Sequence, residues 1–197
     1  GLTAQAKTYN RDAAASLTGT ASLGGVISGD TVSLISGTAT AVFTNKNAGN
    51  GRSVTVTGYS VTGADIGNYS LAQPSGLTAN ITPLQLTVSG TPTIATKTYD
   101  GTTVSGAVTV GGTLVGLLSG ESLTISGSGV LANKNAGSNT ATVNYSLTNE
   151  AGATPTSGGL ASNYLAPIAA TGVTATVTQR AITITPTAQI ASNIEGI

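Results

Sequence analysis

Hydrophobic and polar positions alternate with a period of two in several short runs of this chain. Ser53-Val54-Thr55-Val56-Thr57, Thr142-Val143-Asn144-Tyr145 and Ala181-Ile182-Thr183-Ile184-Thr185 show it most clearly, and Thr174-Ala175-Thr176-Val177 more weakly. Period two sends successive side chains to opposite faces of a strand. One face is then apolar and the other is covered by Thr hydroxyls. Thr and Val suit this arrangement because β-branched side chains fit a pleated, half-buried surface. Clusters of Gly, Asn, Asp and Ser separate the runs at the intervals of a small all-β domain. Two segments break the pattern. Leu23-Gly24-Gly25-Val26-Ile27 and Leu114-Val115-Gly116-Leu117-Leu118 cluster their aliphatics, and each reads as a short helical turn or a bend capping a core.

The chain repeats itself. Ala6-Lys7-Thr8-Tyr9-Asn10 returns as Thr96-Lys97-Thr98-Tyr99-Asp100, and Ser28-Gly29-Asp30 as Ser119-Gly120-Glu121. Asn45-Lys46-Asn47-Ala48-Gly49 returns as Asn133-Lys134-Asn135-Ala136-Gly137, and Tyr59-Ser60 as Tyr145-Ser146. Asn68-Tyr69 returns as Asn163-Tyr164, and Gly76-Leu77-Thr78-Ala79 as Gly172-Val173-Thr174-Ala175. Six blocks keep their order, which chance does not explain. The displacement falls to 86 at Tyr145-Ser146 and jumps to 95 at Asn163-Tyr164. That jump places an insertion in the second copy at residues 149–159, rich in Thr, Gly, Pro and Ser, as expected of a surface loop.

Ile81-Thr82-Pro83-Leu84-Gln85-Leu86-Thr87-Val88 lies where the copies meet, and Val177-Thr178-Gln179-Arg180-Ala181-Ile182-Thr183-Ile184 ends the second copy in the same way. Both read as a strand running out of one unit into the next. A β-prone, Gly-free junction is stiffer than a Gly/Ser linker. The expected organisation is therefore 1–83 for the first unit, 84–180 for the second, and 181–197 as the start of a third unit or a tail. A unit of about 90 residues holds one small core.

Composition narrows the class. Only 7% of the 197 residues are charged, against roughly 25% in ordinary soluble proteins. Seven basic and seven acidic residues cancel. No basic run exists to attract nucleic acid or an anionic membrane surface. Uncharged stretches such as residues 13–29 are broken by Ser, Thr and Gly, so none reads as a membrane-spanning helix. The chain has no Met and no signal peptide, which reads as an internal or processed piece of a longer protein. Cys is absent too, which suits a cytosolic protein and equally a long secreted chain that crosses a membrane unfolded without premature disulfides.

Candidate chemistry is sparse. Without His or Cys there is no imidazole base and no thiolate nucleophile. No Ser sits in Gly-x-Ser-x-Gly, and no phosphate-binding Gly-Lys-Ser/Thr loop occurs. Asp12, Asp30, Asp65, Asp100, Glu121, Glu150 and Glu195 are scattered, with no adjacent pair to suggest a glycosidase dyad. The expectation is a protein that is not an enzyme and holds no cofactor or metal. Asn45, Asn47 and Asn50, like Asn133, Asn135 and Asn139, could be read as calcium ligands. No carboxylate joins them, and Asn and Gly are turn residues, so turns are expected. Asn68, Asn80 and Asn144 each open an Asn-x-Ser/Thr triplet, about as often as chance gives in a chain this rich in Ser and Thr.

Repeated side chains form a structural set: Lys7, Tyr9, Asn47, Gly49 and Tyr69 in the first unit, and Lys97, Tyr99, Asp100, Gly101, Asn135, Gly137 and Tyr164 in the second. All six Tyr fall into matched pairs, which suits core anchoring better than an exposed row for sugar stacking. Lys7, Lys46, Lys97 and Lys134 recur near Asn or Asp. They read as solvated or salt-bridged, with an intramolecular Lys–Asn or Lys–Asp amide as the alternative.

The ordered blocks Lys97-Thr98-Tyr99-Asp100-Gly101-Thr102-Thr103, Asn133-Lys134-Asn135-Ala136-Gly137 and Asn163-Tyr164 closely resemble the YDG-type repeats of bacterial surface proteins. Such repeats occur in long arrays in filamentous-haemagglutinin-like adhesins and related exoproteins exported by two-partner or autotransporter routes. The likeness covers both units. The first departs from it at Asn10-Arg11-Asp12, where Asp-Gly-Thr is expected, so that turn is expected to differ. The resemblance implies an extracellular, cell-surface stalk with no catalytic residues to carry over. The expected fold is all-β, with two small Ig-like or β-grasp-like domains end to end. The expected partners are neighbouring repeats and, in the alternative reading of a carbohydrate- or biofilm-matrix-binding module, a glycan. Nucleic acid and membrane insertion are not expected.

Overall fold

The computed structural model describes residues 1–150 and 159–186. Its regular structure is strand, apart from two single 3-10 turns at Ile66–Asn68 and Ala161–Asn163. The fold is all-β. Among the described residues no helix is long and apolar enough to cross a membrane.

Each repeat builds the same four-stranded mixed sheet. In the first, the order is Lys7–Thr8, Thr78–Thr82, Gly49–Thr57, Thr40–Phe43. In the second it is Lys97–Thr98, Ala170–Thr178, Gly137–Asn149, Leu123–Leu131. The edge strand is parallel to its neighbour in both, and the other pairings are antiparallel. Small ribbons complete each unit. Thr3–Ala4 pairs with Leu17–Thr18, as Thr93–Ile94 does with Val108–Thr109.

The alternation seen in the sequence sorts side chains as expected. Ala41, Phe43, Val54, Val56, Ala79 and Ile81 are buried, while Thr40, Thr55, Thr57, Thr78 and Thr82 between them face solvent. Leu131, Ala141, Val143, Ala175 and Val177 do the same in the second sheet. Each fully buried Val, Leu or Ile contributes roughly 1.5–3 kcal/mol by leaving water.

The copies differ along one edge. In the second, Leu123–Leu131 and Gly137–Asn149 pair continuously over nine positions. The first breaks the same ladder into Thr40–Phe43 with Gly49–Thr57 and Ser33–Ile35 with Ser60–Thr62. Gly58 sits at the break with φ +92°, and a Cβ there would lie 2.3 Å from the Thr38 carbonyl oxygen. Only Gly tolerates that approach. Asn144 holds the matching position and continues the strand.

Neither aliphatic segment forms a helical turn: the first contains a bend, as the alternative reading had it, and the second a short strand. Residues 23–27 run as irregular chain with a bend, and Leu114–Val115 forms a short strand paired with Thr87–Val88. Gly25 and Gly116, at φ +81° and +93°, stop a helix from propagating. The insertion at residues 149–159 is described only at its ends, where Asn149 Oδ1 accepts a hydrogen bond from the Ala161 amide at 2.7 Å. Its centre, 151–158, and residues 187–197 lie outside the described residues.

Candidate functional site at the repeat junction

The most heavily determined polar cluster lies between the two repeats. Tyr9 follows the edge strand of the first unit, and its amide bonds the Thr82 carbonyl at 2.8 Å. Its ring is 1% exposed, because it inserts into the second unit and meets Tyr164 edge to face at 5.5 Å between centroids. Both phenols donate to Glu121, Tyr9 to Oε1 at 2.6 Å and Tyr164 to Oε2. The Glu121 side chain is fully buried, and Arg11 Nε lies 3.3 Å from Oε1. Arg11 also bonds the Ser119 carbonyl. A buried carboxylate is tolerable only when donors surround it, and here two phenols and a guanidinium do so. Burial first, and the carboxylate second, push both phenols well above the usual tyrosine range.

A second polar contact lies beside it. Asn163, 0% exposed at the end of its 3-10 turn, accepts from the Ala48 amide at 2.9 Å and donates to Asn47 Oδ1 at 3.0 Å. One side-chain amide thereby satisfies a donor and an acceptor of the first repeat's Asn-Lys-Asn-Ala-Gly loop.

The backbone completes the joint. Only Pro83 separates the first sheet's Thr78–Thr82 from Leu84–Gln85, which pairs in parallel with Tyr164–Leu165. The Leu86 amide bonds the Leu165 carbonyl at 3.0 Å, and Gln85 Nε2 reaches the Ala166 carbonyl at 2.7 Å. Leu86 is 0% exposed and belongs to one apolar cluster with Tyr9, Phe43 and Ile81 of the first unit and Leu123 and Tyr164 of the second. The core of the first repeat therefore extends into the second, whose sheet also holds a separate cluster of Leu131, Ala141, Ala175 and Val177.

A family model for the YDG domain matches the chain twice, over residues 1–76 and 82–172. The chain belongs to the YDG domain family. No curated protein and no solved structure matches it.

The YDG motifs thus fall at the ends of each unit. Tyr9 of the first unit meets Tyr164 of the second, Asn47 meets Asn163, and Gly49 lies under Arg52, whose guanidinium bonds the Ala48 carbonyl at 2.6 Å. Tyr99, Asn135 and Gly137 hold the matching places at the second unit's far end, where Tyr99 is half-buried and the other two are exposed. Tyr69 is half-buried at the first unit's opposite end. It donates to Asp30 Oδ2 at 2.5 Å and accepts from the Ile27 amide at 3.1 Å, as Tyr164 does with Glu121 and the Leu118 amide. Asp65 caps the same loop at the Thr31 amide, 2.8 Å away.

The lysines stitch the turn beyond the edge strand. Lys7 Nζ reaches the Asp12 and Ala14 carbonyls at 2.5 and 3.0 Å. Lys97 Nζ reaches the Val104 carbonyl at 2.6 Å and Asp100 Oδ1 at 2.7 Å. That ammonium, with the Thr102 amide and hydroxyl, lowers Asp100 to about 2. An ionised carboxylate is a poor electrophile toward an amine, and Lys97 and Asp100 make an ion pair. The Asn clusters form turns closed by Asn45 Oδ1 on the Asn47 amide and Asn133 Oδ1 on the Asn135 amide. Among the described residues no three His, Cys, Asp or Glu converge.

Arg11 corrects one expectation. Despite the different residues, the Asn10-Arg11-Asp12 turn matches Asp100-Gly101-Thr102, with φ +69° at Arg11 and +81° at Gly101. In both, the first side chain accepts from the amide two residues on, at 3.1 and 2.9 Å. A non-Gly residue there costs about 1–2 kcal/mol, and its ion pair with Glu121 offsets that. Glu121, Arg11, Asn163 and Leu86 were missed as site residues. Their only signal was membership of recurring blocks, and for Arg11 the departure from the family pattern.

Proposed function

We propose that this chain is a stalk or spacer region of a large bacterial secreted or surface adhesin, projecting a binding region away from the cell. The observation that carries the reading is the junction, where Tyr9, Leu86, Glu121 and Tyr164 lock successive repeats through a shared core. A spacer needs reach without bending. A continuous core and a one-residue connection supply it, and a repeat array gains stability from each interface. The exposed face of Thr hydroxyls and the near absence of charge attract few partners. The role is extracellular, non-enzymatic and free of cofactors, with neighbouring repeats as the partners and neither nucleic acid nor membrane insertion involved.

The competing reading is a module for host or matrix glycan, best placed at the insertion of residues 149–159. Sugar binding favours exposed aromatic faces, whereas Tyr9 and Tyr164 spend theirs on each other. A glycan-array screen of the chain, beside a variant with 151–158 replaced by a short Gly linker, separates the two. The spacer reading expects no saturable binding by either protein. Saturable binding lost in the variant overturns it.

A further inference from the structure

Two residues face one in the first sheet. Gly49–Thr57 and Thr78–Thr82 pair Gly49 with Ile81 and Arg52 with Ala79, so Asn50 and Gly51 together stand opposite Asn80. The extra residue makes a β-bulge. Gly51 holds φ +59°, a left-handed backbone that favours Gly. The Asn80 side chain closes the bulge, its Oδ1 accepting from the Gly51 amide at 2.8 Å. The second repeat is built differently here. Ser138 pairs with Thr176 and Asn139 with Ala175, without a bulge, and Thr176 stands where Asn80 does.

The bulge therefore calls for a dipeptide with chemistry of its own. Asn50-Gly51 is the one Asn-Gly in the chain. The Gly51 nitrogen can attack the side-chain carboxamide carbon of Asn50, because no Cβ on Gly51 crowds the ring that forms. The bond from that carbon to the side-chain nitrogen breaks, and the departing NH2 takes up the amide proton and leaves as ammonia. A succinimide remains, and water opens it at either carbonyl to give aspartate or isoaspartate. Asn50 is exposed, and a Cβ placed on Gly51 would meet nothing within 4 Å, so the site is open to water.

We propose that Asn50 is the deamidation site of this chain and that Asn80 holds it closed. The attacking nitrogen must first give up its proton. Donation to Asn80 Oδ1 keeps that proton in place and fixes the peptide plane. The position matters because Asn47, whose side chain bonds Asn163 across the junction, lies three residues earlier. Isoaspartate lengthens the main chain by one carbon, so the change falls beside the contact that joins the repeats. Asp100-Gly101 is restrained in another way, since Lys97 pairs with the ionised Asp100 and a carboxylate oxygen is a poor leaving group.

Parent chain, Asn80→Ala and Asn80→Asp are incubated folded at mildly alkaline pH. Peptide mapping by mass spectrometry, with aspartate and isoaspartate resolved, follows each Asn. Asn50 of the parent converts slowly when folded and fastest of all Asn in denaturant. Asn80→Ala raises folded-state conversion several-fold at Asn50 alone. Asn80→Asp keeps an acceptor oxygen and stays near the parent rate. Equal rates in the parent and Asn80→Ala overturn the proposal. So does a rise shared with Asn45, Asn47 and Asn163, the mark of general unfolding, or an Asn80→Asp chain as fast as Asn80→Ala.

Discussion

The rings of Tyr9 and Tyr164, one from each repeat, meet edge to face at 5.5 Å while their hydroxyls share a single carboxylate, Glu121. The contact is apolar across the rings and charge-assisted at the tips. Edge-to-face packing adds about 0.5–1.5 kcal/mol beyond burial, and hydrogen bonds to a charged group about 1.5–3 kcal/mol. Glu121→Gln keeps the shape but removes the charge that both phenols and Arg11 address. Denaturant unfolding of that variant should show a loss of about 2–4 kcal/mol, concentrated in the coupling between the repeats.

Leu86 and Ile182 occupy matching positions with opposite burial, 0% and 93% exposed. Leu86→Ala should cost about 2–5 kcal/mol, the range for a core leucine. Ile182→Ala should stay within about 0.5 kcal/mol of the parent chain. Comparable losses at the two sites in urea titrations would contradict the assigned junction.

Arg11 sets a backbone cost against a charge contact. Arg11→Gly relieves the left-handed conformation but leaves the buried Glu121 with one donor fewer. Arg11→Ala loses the contact and keeps the backbone cost. The expected order of stability in thermal melts is wild type, then Gly, then Ala, with about 1 kcal/mol between the last two.

Ionisation gives two windows. Tyr9 and Tyr164 titrate higher folded than unfolded. Their contribution is complete below the unfolded value of about 10 and is lost as pH rises beyond it. Stability should therefore fall above about pH 10, and Tyr9→Phe should flatten that fall. Asp100 is shifted the other way, to about 2, chiefly by Lys97. Its contribution is present above the unfolded value of about 4 and is lost as pH falls toward 2. Asp100→Asn should remove that acid-side slope, which is small because the group is exposed.

Local pattern carries much of this fold. Val54, Val56, Ala175 and Val177 face inward because they alternate with Thr, and the six recurring blocks mark two equivalent units. The junction strand at residues 84–88 was also visible as a Gly-free, β-prone stretch. What the pattern did not reveal is where the repeated residues point. Tyr9 reads as an anchor for its own unit, yet it spans 112 positions to Glu121. No periodicity encodes such a contact, because it depends on how two folded units meet. The same holds for Asn47 and Asn163, which recur in separate blocks of the sequence and bond each other in the fold. Of the two readings left open for the aliphatic clusters, the helical turn fails for a local reason, since Gly25 and Gly116 hold left-handed backbone where it would need to continue.

The central claim is that the two repeats behave as one body. Residual dipolar couplings measured separately for the sheets of the first and second repeats test it directly. A shared core and the Tyr9–Glu121–Tyr164 contact predict a single alignment tensor that fits both sets. Two tensors of different magnitude and orientation would mean that the repeats move independently, and would contradict the account of a stiff junction.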